Sequence, residues 1–208
     1  MGIHPGGKIV APAASPEYDG LEDSKPRPRK ASIWERSDEA AGRCGRDVEN
    51  HMDRDLIEQY VAGGEKLRRA VAGLTDDELR ARPGPGAWSV LEVVVHVADS
   101  DAISIDRMKR LLTEDNPHLL YADETAYVER LHTHEQGLED ALLLFEVGRR
   151  QWARVLRRLP DEAFLRQGTH NRSGKVTLGG LVASYVKHVD DHLEFVLGKR
   201  ANLGKPLA

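Results

Sequence analysis

Nine histidines are spread through this 208-residue chain, and three of them stand where metal chemistry is possible. His188 and His192 lie four apart in LVASYVKHVDDHLEFV, a spacing that puts both imidazoles on one helix face a turn apart. His96, in WSVLEVVVHVADSD about 90 residues earlier, can join them only if the two segments pack side by side as helices of one bundle. Three imidazoles with no fourth protein ligand leave positions open to water or substrate, which is the pattern of a catalytic rather than a structural site.

Spacing alone is weak support, because chance supplies about 0.4 His pairs at separation four in such a chain. Position says more. Leu178, Leu181, Tyr185, His188, His192 and Phe195 advance by threes and fours, as do Val93, His96, Val97, Ser100 and Ile103, so all three histidines are predicted on core-facing stripes. A buried polar group without a partner costs about 1–3 kcal/mol. Each imidazole is therefore either bonded to a core neighbour or one ion satisfies all three. His132 and His134 stand in a polar connector, and His4, His51, His118 and His170 are isolated; these six are read as ordinary polar residues.

The elements that must position the triad read as four amphipathic helices. The first runs from about Asp47 to Leu74 with Leu56, Ile57, Tyr60, Val61, Leu67, Val71 and Leu74 on one face, despite the Gly63-Gly64 pair, which costs about 1 kcal/mol per glycine in a helix. Thr75 caps a short connector helix that the Pro83–Gly86 turn ends. Ser89 and Glu92 form a capping box that opens a second helix to about Leu112, with Asp106, Arg107, Lys109 and Arg110 towards solvent. The third spans about Gly137–Leu159 and is stopped by Pro160; Thr177 caps the fourth, which Gly198 closes. Between the second and third helices lies a long polar crossover with room for a short helix. Residues 161–176 are a second polar connector, and strand patterns are nearly absent. The fold class is all-α, a four-helix bundle.

Composition excludes other classes. A net charge of -4 and a pI near 6.1 offer no basic stripe for nucleic acid; Lys25–Lys30 is a short basic run among prolines and acids. No apolar run approaches the ~20 residues of a membrane span and no signal peptide is evident, so a cytoplasmic protein is expected. Cys44 is read as an incidental thiol. Residues 1–46 hold five of the ten prolines and no sustained period, the marks of a tail; residues 47–200 form the bundle domain and 201–208 a C-terminal tail.

The run PGPGAWSVLEVVVHVADSD, with its Pro/Gly turn, Trp-Ser step and histidine eight residues after the tryptophan, together with GKVTLGGLVASYVKHVDDHLEFV and its Thr-Leu helix start and His-x3-His pair, resembles the two signatures of the DinB-like, or YfiT-like, metal-binding four-helix bundle superfamily over residues 50–200. That resemblance implies a divalent metal, commonly zinc or nickel, held by His96, His188 and His192, and a small-molecule substrate. Some relatives are low-molecular-weight thiol transferases or thiol-dependent isomerases, others metal-dependent hydrolases; a metal-activated thiol or water nucleophile is the expectation, with a non-catalytic metal- or ligand-binding stress-response protein as the alternative. No nucleic acid or membrane partner is expected, and a homodimer is an allowed assembly. Glu92, Asp99 and Tyr185 are the accessory catalytic candidates by proximity in sequence. Glu92 already has a capping role, Asp191 and Glu194 are expected to face water, Trp88 to anchor the helix start, and Arg172 and Lys175 to be available to an anionic substrate.

Overall fold

The computed structural model describes residues 53–84 and 86–207. The proline-rich tail, the Lys25–Lys30 run, Cys44, His4, His51, Pro85 and the start of the first helix at Asp47 lie outside the described residues. Four long helices dominate: α1 (Asp55–Val71), α3 (Val90–Thr113), α5 (Leu138–Leu156) and α6 (Leu178–Asn202), with two short ones, α2 (Asp76–Arg80) and α4 (Glu124–Arg130). No helix among the described residues is long and apolar enough to cross a membrane.

Local chemistry sets the helix starts. The Ser89 hydroxyl accepts the Glu92 N–H at 3.1 Å while the Glu92 carboxylate accepts the Ser89 N–H at 2.7 Å, so the predicted capping box fixes where α3 begins. Thr75 and Glu78 form a second such box for α2, and Thr177 accepts the Gly180 N–H to open α6. At the other end α6 runs past Gly198 to Asn202 instead of closing there. The added turn is held by Arg200, whose Nη1 donates to the carbonyls of Ala70 and Ala72 at the end of α1, and a lone glycine with open space around it is no barrier to a helix so anchored. Lys205 beyond it pairs with Glu78.

In cross-section α1 packs on α5 and α6, and α3 packs on the same two. Two of the three consecutive pairs of long helices thus face each other across the diagonal: α1 with α3, and α5 with α6. The long segment 114–137 is present as expected and joins the neighbours α3 and α5; the diagonals are bridged by the connector containing α2 and by residues 157–177. A three-stranded sheet, unanticipated from sequence, lies in these connectors. His118–Leu119 (β1) pairs in parallel with Gln167–His170 (β2), which forms a hairpin with Gly174–Thr177 (β3). Gly174, the first residue of β3, takes φ +75° where the hairpin turn closes, a left-handed backbone that glycine adopts without steric cost. Strands this short and polar carry too few apolar alternations to be read as such.

The bundle centre is occupied by an ion pair. Arg149 on α5 is 1% exposed; its Nε and Nη2 donate to Asp101 Oδ1 on α3 at 2.9 and 2.7 Å, Nη1 to the Tyr60 carbonyl on α1 at 2.8 Å, and Nη2 to the Tyr185 carbonyl on α6 at 2.8 Å. One guanidinium thereby bonds to each of the other three helices. The Tyr60 and Phe145 rings sit under it at 4.1 and 4.4 Å, a cation–π environment. Gly63 is explained here: a Cβ at that position would lie 2.6 Å from Arg149 Nη1, so the glycine that weakens α1 in isolation is what admits the arginine. Arg107, predicted nearer solvent, is instead buried. Its Nη1 donates to the Tyr185 hydroxyl and its Nη2 to the Leu120 carbonyl, uses that keep a guanidinium in the interior. Val147 and Val155 of α5 and Phe195 of α6 lie on outward faces, Phe195 being 49% exposed.

Candidate metal centre

The two core-facing stripes meet as their periodicity demands. α3 and α6 are packed neighbours, and His96, His188 and His192 are all buried. His96 Nε2 lies 3.1 Å from His192 Nε2, which lies 3.2 Å from His188 Nε2; one nitrogen from each ring falls within a 4.8 Å cluster. Burial, reinforced by the neighbouring His192, holds His96 down to about 3; burial holds His192 down to about 4 and His188 well below the ordinary imidazole value. The three rings are therefore neutral and present lone pairs, the form in which histidine ligates a metal.

Hydrogen bonding among the rings cannot account for this convergence. A neutral imidazole nitrogen carries either one N–H or one lone pair, and His192 Nε2 faces two nitrogens at once. Its Nδ1 has no hydrogen-bond partner among the described residues. A cation between the rings accepts all three lone pairs together. At metal–nitrogen distances of about 2.1 Å, adjacent ligand nitrogens stand roughly 3.0–3.4 Å apart in octahedral or tetrahedral arrangements, and the two close separations here fall in that window. The donor set is nitrogen only, suited to zinc, nickel or another divalent transition ion.

An aromatic ring flanks each imidazole: Trp88 against His96 at 5.0 Å between centroids, Tyr185 against His188 at 5.8 Å, and Phe195 against His192 at 6.1 Å. Trp88 thus serves the site as well as the helix start. Its carbonyl also accepts a bond from Lys199.

The accessory candidates fare differently. Glu92 is engaged at the start of α3. Burial alone would raise its carboxyl, but bonds from Arg82 and the Ser89 N–H hold it below its usual value, and its oxygens are committed to those two partners. Asp99 is partly buried, which pushes its carboxyl up, and lies outside the nitrogen cluster. Tyr185 touches His188 with its ring, while its hydroxyl accepts from Arg107 at 3.1 Å; burial keeps that hydroxyl protonated. Arg172 stacks on Tyr121, and Asp191 is bonded to Lys187. The other described histidines, His118, His132, His134 and His170, are not part of the cluster: His170 Nδ1 accepts N–H groups of the hairpin loop, and His134 lies 3.8 Å from Glu92. Sequence reasoning missed Glu124, whose Oε2 lies 3.8 Å from His96 Nε2. The only local sign was Asp123 just before it, a helix cap that accepts the Ala126 N–H.

The sequence profile of the DinB superfamily matches residues 59–196, and the chain belongs to that superfamily. It is 31% identical over 140 residues to YfiT of Bacillus subtilis, covering 67% of this chain and 79% of that one, and 30% identical over 150 residues to a protein of Oceanobacillus iheyensis, covering 72% and 87%. Both relatives carry the provisional name of metal-dependent hydrolase. The solved structure of YfiT, described by inference as a metal-dependent hydrolase with an unusual four-helix bundle topology, superposes with a TM-score of 0.68 at 26% identity, covering 88% of this chain and 95% of that one. A second Bacillus subtilis structure, a DinB-like protein, shares the fold at a TM-score of 0.51 and 14% identity.

Proposed function

We propose that the protein is a metal-dependent hydrolase in which His96, His188 and His192 hold one divalent ion, zinc or nickel by donor chemistry, and a small-molecule substrate meets a water nucleophile at the position the imidazoles leave open. The observation that carries this reading is the convergence of three buried, neutral Nε2 atoms at separations of 3.1 and 3.2 Å. The names of the relatives support water as the nucleophile. When bound, the ion supplies Lewis acidity that brings the pKa of a water or thiol towards neutrality. The protein's own contribution is orientation and dryness. The helical register holds the two α6 nitrogens a turn apart, the α3–α6 packing brings the third, and Trp88 and Tyr185 shield two of the rings.

The experiment is turnover by protein loaded in turn with zinc, nickel and cobalt, against ester, amide and lactone panels and against electrophiles with small thiols. One ion per chain and metal-dependent hydrolysis are the expected result. Consumption of electrophile only when thiol is present would make the protein a low-molecular-weight thiol transferase instead. Stoichiometric metal with no turnover on either panel would leave a metal-binding protein without catalysis and defeat the hydrolase reading.

A further inference from the structure

We propose that Glu124 is the outer carboxylate of the histidine centre, accepting the hydrogen bond of the protic nucleophile seated beside His96 and receiving its proton. The inference rests on the metal-binding reading above and adds a residue to it.

Its Oε2 is 3.8 Å from His96 Nε2, beyond hydrogen-bond range. The separation leaves the carboxylate within reach of a protic group seated beside His96. Glu124 stands outside the three-nitrogen cluster, as suits a group that reaches the nucleophile rather than the ion.

The chain is built to put it there. The segment leading into α4 runs over the bundle and is pinned along its length. Asn171 N–H donates to the Leu119 carbonyl at 3.0 Å and Tyr121 N–H to Asn171 Oδ1 at 2.8 Å. Arg107 Nη2 holds the Leu120 carbonyl at 2.5 Å, and Asp123 caps α4 so that Glu124 is its first residue. Arg107 also bonds to Tyr185, whose ring touches His188, so the strap and the triad share an anchor. The small sheet that sequence reading missed acquires a purpose: β1–β2 pairing fixes the strap that carries this carboxylate.

In the step assigned to it, the O–H bond of the nucleophile breaks, a new O–H bond forms at Glu124 Oε2, and the electron pair stays with the nucleophile. The resident negative charge also disfavours anions at the same position.

The test uses the full chain loaded with cobalt, wild type beside Glu124→Gln and Glu124→Ala. Cobalt affinity is measured by chelator competition, azide affinity from the visible spectrum, and turnover on whichever substrate the panel yields. Both variants should keep one cobalt per chain with affinity within about threefold of wild type. Azide should bind about tenfold tighter once the neighbouring negative charge is removed, and turnover should fall on the order of 100-fold or more, as for loss of a general base. Unchanged azide affinity in both variants overturns the proposal, and so does a cobalt affinity lowered more than about tenfold, which would make Glu124 a ligand. Wild-type protein that takes up no cobalt overturns the metal-binding reading and this proposal together, whereas normal uptake with unaltered azide binding removes Glu124 alone.

Discussion

Replacing His192 by alanine should release the metal while leaving the helices intact. His192 Nε2 is the nitrogen that approaches both others, at 3.1 and 3.2 Å, so its loss leaves two ligands, His96 and His188, on different helices. Histidine- and cysteine-rich sites bind zinc with about 10–16 kcal/mol in total, which apportions to roughly 3 kcal/mol per ligand, a factor of order 100 in affinity. The fold has other supports, because two core clusters are built from aliphatic and aromatic side chains. Chelator competition should therefore show affinity reduced about 100-fold or more in His192→Ala, with far-ultraviolet circular dichroism unchanged. Equal affinity in mutant and wild type would mean that the ion, if any, sits elsewhere.

The largest effect on stability should come from Asp101→Ala. It leaves the guanidinium of Arg149 buried among four helices with its counter-charge gone, and breaking a buried pair from one side costs about 3–5 kcal/mol. For a domain of this size that is a fall in melting temperature on the order of 10 °C. The double variant Asp101→Leu/Arg149→Met, which removes both charges and keeps the volume, should recover most of that loss. Because Arg149 also holds the Tyr185 carbonyl one turn before His188, the single mutant should bind metal more weakly as well. A cost below about 1 kcal/mol in denaturant melts of Asp101→Ala would contradict the role given to the pair.

What could be read from the sequence was what is local. The Ser89–Glu92 box, the Thr177 cap and the three-and-four spacing of His188 and His192 on an apolar stripe are properties of single segments, and each appears in the structure where its spacing placed it. His96 joined the pair because its own stripe was equally local. The features that stayed hidden are contacts between distant segments. Arg149 and Asp101 are separated by 48 residues, and nothing around RRQW distinguishes an arginine bound for the bundle centre from one in solvent. Gly63 read as a cost because its benefit lies on another helix. Glu124 sits in a polar connector, where a carboxylate is unremarked until Arg107 and Asn171 tie that connector down. Phe195 shows the limit of periodicity itself: it continues the stripe of His188 and His192 and its ring lies against His192, yet it is half exposed while the next residue, Val196, is fully buried.

The most direct test of the central claim is anomalous scattering from crystals of the metal-loaded protein, recorded on both sides of the metal's absorption edge. One peak is expected, about 2.0–2.3 Å from the Nε2 atoms of His96, His188 and His192. A peak bound by other residues, or the three imidazoles ordered as here with no peak between them in protein that carries stoichiometric metal, would contradict the account.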